Sequence, residues 1–366
     1  MAKTDLNIGG LDVTNHHTNN NALIANMPVY LPPTSNELAL VIADFENGDT
    51  TTQLTKNTIG FAFTSGQNTL AATPNGSKGI LFRYGPDTAV EDSWQELRYN
   101  LNSQHVNTYE KISLYVPSNY KHRRLLELNA VAGDDVSTWA VNDVVVGNDG
   151  TSLAKVHSVS GQIVYLKEAE NILLKSVWGP SKYDAIPDTP IPVTNSTKSQ
   201  SATIEFSEGM GANNKISAQW ENEYSSNGYF IEVNPADVST NTDSIPTAKA
   251  TAADNAQTSN FVSELESVPL ISQANDLGAN IDFIVYRKRA TSPVANDGLV
   301  QIWKEINGAY ILIFQKSGYG LFSSTNNYFD RGYILGWSNS GFDEQTDIIL
   351  RGYTFYGDNR PVEITP

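Results

Sequence analysis

From Leu38 onward, short apolar or alternating runs are broken every few residues by Gly, Pro, Asn and Asp. Runs at 38–45, 79–84, 96–101, 111–116, 201–206, 215–221, 228–233, 281–288, 299–304, 310–315, 333–337 and 348–356 predict strands. Within 96–101, Leu97, Tyr99 and Leu101 are expected to face a core, and Glu96, Arg98 and Asn100 the opposite surface. Many antiparallel strands joined by polar turns predict an all-β two-sheet sandwich or jelly roll.

Three stretches break this rhythm. Residues 1–36 mix the Asn-rich run 19–21 with Pro28, Pro32 and Pro33, without helical or strand periodicity. This extended N-terminal arm is expected to order only against a neighbour. Residues 129–197 hold runs at 139–146, 154–159 and 162–166, enough for an inserted small β-barrel module, followed by a semi-rigid return through Pro180, Pro187, Pro190 and Pro192. The excursion 234–280 is rich in small polar residues, with a short helix predicted at 260–266. The predicted organisation is an arm (1–36), a jelly-roll body (37–128 and 198–366) and the module (129–197).

Composition narrows the classes. A chain of 366 residues, 40% hydrophobic and 17% charged, can bury its own apolar core. Zero cysteines exclude disulfides, thiolate metal sites and a cysteine nucleophile. The formal charge of −16 repels phosphate, which argues against nucleic acid and anionic membrane surfaces as partners. No apolar run has the length of a signal peptide or a membrane span, so a soluble protein made in the cytoplasm is expected, with no membrane insertion. P-loop, Rossmann, H-E-x-x-H and G-x-S-x-G patterns are missing.

Several phrases carry a resemblance. The run 94–101 (Trp94-Gln95-Glu96-Leu97-Arg98-Tyr99-Asn100-Leu101) with 109–123 (Tyr109-Glu110-Lys111 to Lys121-His122-Arg123) resembles consecutive strands of heparin-lyase-like, concanavalin-like jelly rolls. Asn213-Asn214-Lys215-Ile216 leading to Trp220, Asn296-Asp297-Gly298 to Trp303, and Asn327-Tyr328-Phe329 to Phe342-Asp343 are similar to later strands of that family. The family includes polysaccharide lyases and many structural proteins of tailed phages. The module segment from Asn142 to Leu166 resembles a small β module common in phage virion proteins. The resemblance therefore implies a concanavalin-like jelly-roll sandwich in a virion protein, made in the host cytoplasm and carried in the particle.

A lyase of this fold would need a cationic group for the uronate carboxylate, a base for the C5 proton and an acid for the leaving oxygen. Arg98, Gln95, His122, Gln219, Tyr229, Tyr286 and Arg287 are candidates, although alternation can turn Tyr229 and Arg287 inward. The working set for this alternative is Arg98, His122 and Tyr286. Lys111, Lys121, His122, Arg123 and Arg124, with Arg287, Lys288 and Arg289, could supply a basic patch for an acidic glycan. The simpler assignment is preferred: Arg98 pairs with a carboxylate, His122 caps a turn, and the tyrosines cover the core edge.

Glycan binding asks less: aromatic faces to stack on, and amides or charges for hydroxyls. Arg98, Tyr115, Gln219, Tyr286 and Trp303 are the residues assigned to it, whereas Trp220, Trp337 and Phe342 are assigned to the core. Loop carboxylates Glu46, Asp49 and Asp343, near Asp44 and Asp347, suit Ca²⁺, with Arg351 standing where similar modules often carry an acid. His16 and His17 are expected to make arm contacts rather than bind metal. The preferred expectation is a non-enzymatic virion component, as head decoration, tail or fibre, forming a homo-oligomer. It would anchor to capsid or tail proteins through Leu23, Ile24, Met27, Val29, Tyr30 and Leu31 and take a host-surface polysaccharide as ligand, with no cofactor required.

Overall fold

The computed structural model of the chain describes residues 7–8, 11–12, 39–45, 58–63, 70–86, 93–121, 125–171, 174–180, 189–210, 214–220, 228–235, 244–251, 258–261, 263–265, 268–292, 295–319, 328–338 and 341–364. Among these the strands build two large antiparallel sheets and a closed barrel.

The seven-stranded sheet runs in the order Thr258–Phe261, Ser244–Thr251, Gly228–Pro235, Asn214–Trp220, Phe329–Ser338, Ser93–His105, Thr58–Phe63. The eight-stranded sheet runs Ala309–Tyr319, Gly298–Ile306, Ala279–Lys288, Asn107–Val116, Thr346–Gly357, Lys78–Tyr84, Leu70–Ala72, with Val41–Asp44 pairing to Thr346–Gly357. The chain crosses between the sheets at 105–107 and again at 338–346, as a jelly roll does. One apolar core joins Leu97, Tyr99 and Ile334 of the first sheet to Ile112, Phe283 and Tyr353 of the second. Apolar residues at every second position explain this: each sheet has one face that must leave water, and the two faces cover each other.

The barrel is built in the order Val144–Val146, Leu153–Ser160, Ile163–Lys167, Leu125–Ala130, Gln200–Met210, Ile191–Asn195, and it has a core of its own around Leu128, Val156, Leu166, Trp178 and Ile204. Its strands extend past 129–197 at both ends, and Leu125 lies opposite Met210 where the chain enters and leaves. Pro192 is accommodated because it sits in the ladder to Gln200–Met210, outside the short ladder to Val144–Val146.

Other sequence expectations are corrected. Among the described residues of 260–266 there is no helix; Thr258–Phe261 is a strand on Ser244–Thr251, so the polar excursion extends the sheet. The run 139–146 is a strand only at Val144–Val146, because Asn142 is left-handed (φ 69°) and Asp143 accepts the Ala140 N–H at 2.8 Å, closing a turn. The helix Lys175–Trp178 carried no clear signal. Within the arm, Asn7–Ile8 pairs with Leu11–Asp12, a ladder its composition did not announce. The anchors Leu23, Ile24, Met27, Val29, Tyr30 and Leu31 lie outside the described residues, as do His16 and His17.

Candidate functional site

The strand Asn214–Trp220 decides which side chains face out. Simple alternation would send Ile216, Ala218 and Trp220 inward and Ser217 and Gln219 outward. The register shifts between Lys215 and Ser217 against one neighbour, and between Asn214 and Ser217 against the other. A bulge of this kind inverts everything beyond it. Ser217 and Gln219 therefore point between the sheets, whereas Ala218 and Trp220 pack with Tyr333 in a small cluster separate from the main core.

Cross-strand register assembles a face around that cluster. Ala218 lies opposite Tyr333, and Tyr333 opposite Arg98; one step along, Trp220 lies opposite Arg331, and Arg331 opposite Asn100. Arg98 is exposed, Arg331 and Asn100 are half-buried, and Tyr333 and Trp220 form the floor with ring centroids 5.6 Å apart. Arg98 donates from Nε to Glu96 Oε1, and Arg331 lies 3.9 Å from Asp330. Trp220 Nε1 is buried without a hydrogen-bond partner among the described residues. Tyr333 and Arg331, missed as site residues in the sequence, lie within the phrase 327–343 that carried the family resemblance.

Glu96 was expected on this outer surface, yet it is only 1% exposed. It sits opposite Leu335, where the neighbouring strand takes left-handed dihedrals at Leu335 (φ 59°) and Gly336 (φ 127°). Gln95, half-buried, lies opposite Gly336 at the same irregularity.

Gln219 is corrected from glycan ligand to interior residue. Glu110 Oε1 accepts from Arg287 Nη1 at 2.5 Å and from the Ser217 hydroxyl, while Oε2 accepts from Tyr353 at 3.2 Å and from Tyr99 and Gln219 at 3.3 Å. Arg287 Nη2 also donates to Ser217, and the Thr108 hydroxyl donates to Gln219 Oε1. Burial, and next the Glu110 charge, raises the Tyr99 hydroxyl pKa; burial, the Tyr99 hydroxyl and Glu110 do the same for Tyr353. This network ties the sheets together and is sealed from substrate.

The outer face of the eight-stranded sheet is closed differently. Ile364 lies over Ile284 and Trp303, with Tyr109, Tyr286, Tyr310 and Leu312 around them. Trp303 is 7% exposed and Tyr115 5%, so neither offers an open ring to a sugar. Tyr286 stacks on Tyr109 at 4.4 Å and donates to Asn107 Oδ1 at 3.2 Å. Burial, then Tyr109 and Asp358, pushes the Tyr286 hydroxyl up to about 12, the wrong direction for a base. Arg98 and Tyr286 also stand on the outer sides of opposite sheets, about 10 Å of sandwich apart. They cannot address one substrate, and His122 lies outside the described residues, as does the side chain of Tyr229.

The proposed basic patch disperses. Arg287 is in the core, Lys288 pairs with Asp297 at 3.0 Å, Lys111 faces Glu363 at 3.6 Å, and the Arg289 guanidinium covers the Phe329 ring at 5.0 Å. Lys121 is exposed; Arg123 and Arg124 are outside the described residues. Of the calcium set, Glu46 and Asp49 are also outside, and Asp343 is exposed beside a loop cavity. Asp347 is engaged by Arg83 through two bonds of 2.9 Å, and Arg351 pairs with Asp282 at 2.7 Å. Among the described residues no three His, Asp or Glu side chains converge as metal ligands. Phe342 does belong to the core, and the side chain of Trp337 is outside the described set.

No family model matches the chain, and no curated protein matches it. Similar solved structures include lectin II from Ulex europaeus, at 10% identity and a TM-score of 0.25, and lectin UEA-II complexed with galactose, at 11% and 0.26. Each comparison covers 87% of this chain and 98% of the other. Likenesses at these TM-scores carry no argument about this chain.

Proposed function

We propose that the chain is a structural protein of a tailed-phage particle whose jelly-roll body binds an acidic surface glycan on the outer face of the seven-stranded sheet. The observation that carries the binding role is the cross-strand set of Arg98 with Tyr333 and Arg331 with Trp220. Two guanidiniums suit carboxylate or sulfate groups on a sugar, while Trp220 and Tyr333, only 6% and 9% exposed, support the face from beneath. The virion role rests on the phrase resemblances, with residues 1–36 as the segment that anchors to capsid or tail proteins and to copies of the same chain. The reading requires no cofactor.

The test is titration of the full chain with alginate, glucuronan and heparin-like oligosaccharides, following heat and ultraviolet absorbance together. Saturable heat that falls about tenfold or more in Arg98→Ala and Arg331→Ala, with flat absorbance, is the expected result. Heat unaffected by both substitutions would remove the sheet face from consideration. A rise in absorbance from unsaturated uronate would establish a lyase in place of a binding protein. For the particle role, deletion of residues 1–36 should abolish incorporation while leaving the body folded; an incorporated truncation would refute the anchor.

A further inference from the structure

A cavity of about 360 Å³ opens among three loops at one end of the sandwich, lined by Ser118, Asn119, Lys121, Gln273, Asp343 and Glu344, with Tyr120, Leu277 and Thr346. Its lining residues come from the segments following strand Asn107–Val116, preceding Ala279–Lys288 and leading into the first residue of Thr346–Gly357. None lies on the seven-stranded sheet, so this site is separate from the face carrying Arg98.

We infer that this cavity is a second saccharide site, taking an uncharged or amino-bearing monosaccharide unit. The volume falls in the range of small-ligand sites, and the lining offers what a polyol needs. The Ser118 hydroxyl and the Asn119 and Gln273 amides can both donate and accept, and the carboxylates of Asp343 and Glu344 accept from vicinal hydroxyls, while the buried Thr346 hydroxyl donates to the Glu344 carbonyl at 3.2 Å. Leu277, half-buried, supplies apolar wall for the C–H face of a sugar ring, with Tyr120 buried behind it. Two carboxylates against the single ammonium of Lys121 make the cavity locally anionic, on a chain whose formal charge is already −16. That balance repels a uronate and attracts an ammonium, the opposite of the preference of the Arg98 and Arg331 face.

The walls are held before any ligand arrives. Asn119 Nδ2 donates to the Gln345 carbonyl at 2.9 Å, Gly278 N–H to the Val116 carbonyl at 2.9 Å, and Tyr120 N–H to the Pro117 carbonyl at 3.0 Å. Behind the second loop, Lys304 and Asp276 form a buried ion pair at 2.5 Å, and Asp276 also accepts the Ser272 N–H at 2.6 Å. Loops fixed in this way lose little further entropy when a ligand binds.

The experiment is saturation-transfer NMR and calorimetric titration of the full chain with galactose, N-acetylglucosamine, glucosamine and glucuronate, with glycerol as a polyol lacking a ring. We expect saturable binding of at least one uncharged or amino sugar and none of glucuronate or glycerol. That binding should weaken about tenfold or more in Asp343→Ala and in the cavity-filling Leu277→Trp, and remain unchanged in Arg98→Ala. Circular dichroism and the thermal midpoint identify a variant that fails to fold, and the surface substitution Asp343→Ala then decides alone. Absence of sugar binding, glycerol binding of equal strength, or insensitivity to both cavity substitutions would overturn the assignment. Loss in Arg98→Ala alone would move the bound sugar to the sheet face and likewise overturn it.

Discussion

Glu110 and Arg287 meet at 2.5 Å between the two sheets, both side chains wholly withdrawn from solvent. A buried pair of this kind contributes less than its Coulomb attraction suggests, because both ions have lost their hydration. Removing one partner is the costly event, since it strands the other charge in a low dielectric. Arg287→Met should therefore destabilise the fold by about 3–5 kcal/mol, whereas Glu110→Leu combined with Arg287→Met should recover much of that loss. Urea unfolding of the single and double variants measures the coupling, and additive losses would contradict a paired role.

The same network makes a prediction in alkali. Tyr99 and Tyr353 both hydrogen-bond to Glu110, and burial together with neighbouring negative groups raises their pKa values above that of a free phenol. A group with a raised folded pKa contributes its full stability below its unfolded pKa, about 10 for tyrosine, and loses it as pH rises toward the folded value. Stability should thus decline from about pH 10 upward as the unfolded chain releases protons that the folded chain holds. Tyr99→Phe removes one such proton and should flatten the slope of unfolding free energy against pH above that point. An unchanged slope would show that the hydroxyls do not differ between the two states.

On the opposite side of the body, Ile364 closes over Trp303, and Lys111, itself 5.5 Å from the Tyr310 ring centroid, faces Glu363. This short segment accounts for the inaccessibility of a tryptophan that the sequence assigned to glycan binding. Ile364→Ala should cost about 2 kcal/mol. It should also shift tryptophan emission to the red, and that shift should vanish when Trp303→Phe is added. A shift persisting without Trp303 would mean that another tryptophan reports the change.

Strand positions were legible because a half-buried strand writes its two faces as alternation, and 96–101 shows this: Leu97, Tyr99 and Leu101 are all buried and Arg98 is exposed. What alternation does not show is an added residue. The register shift near Lys215 turned Gln219, an assigned ligand, to the interior, while Trp220 is buried as assigned but packs with Ala218 and Tyr333 rather than in the main core. Nor does alternation show that Glu96 is buried, in a stretch paired to a strand with left-handed dihedrals at Leu335 and Gly336. Trp303 and Tyr286 were misjudged for a different reason, since the cover over them comes from a segment about sixty residues away in the chain for Trp303 and from a cross-strand neighbour for Tyr286. The loop cavity had no sequence signature, because its lining converges from three separated segments.

Leu125 faces Met210 across the ladder that closes the barrel, and the barrel core is separate from the core of the sandwich. A unit whose ends are neighbours and whose apolar residues cover one another should fold by itself. We therefore propose 125–210 as the autonomous module. A fragment limited to 129–197 would lose most of Leu125–Ala130 and all of Gln200–Met210, leaving Ile163–Lys167 and Ile191–Asn195 each without one of its two neighbours and the barrel open. The longer fragment should give a cooperative thermal transition with dispersed amide resonances, and the shorter one should give neither. The complementary deletion, with a Gly-Ser linker joining residues 124 and 211, should leave the sandwich folded, because its sheets take no strand from the barrel. Cooperative folding of the 129–197 fragment, or collapse of the sandwich after the longer deletion, would place the boundary elsewhere.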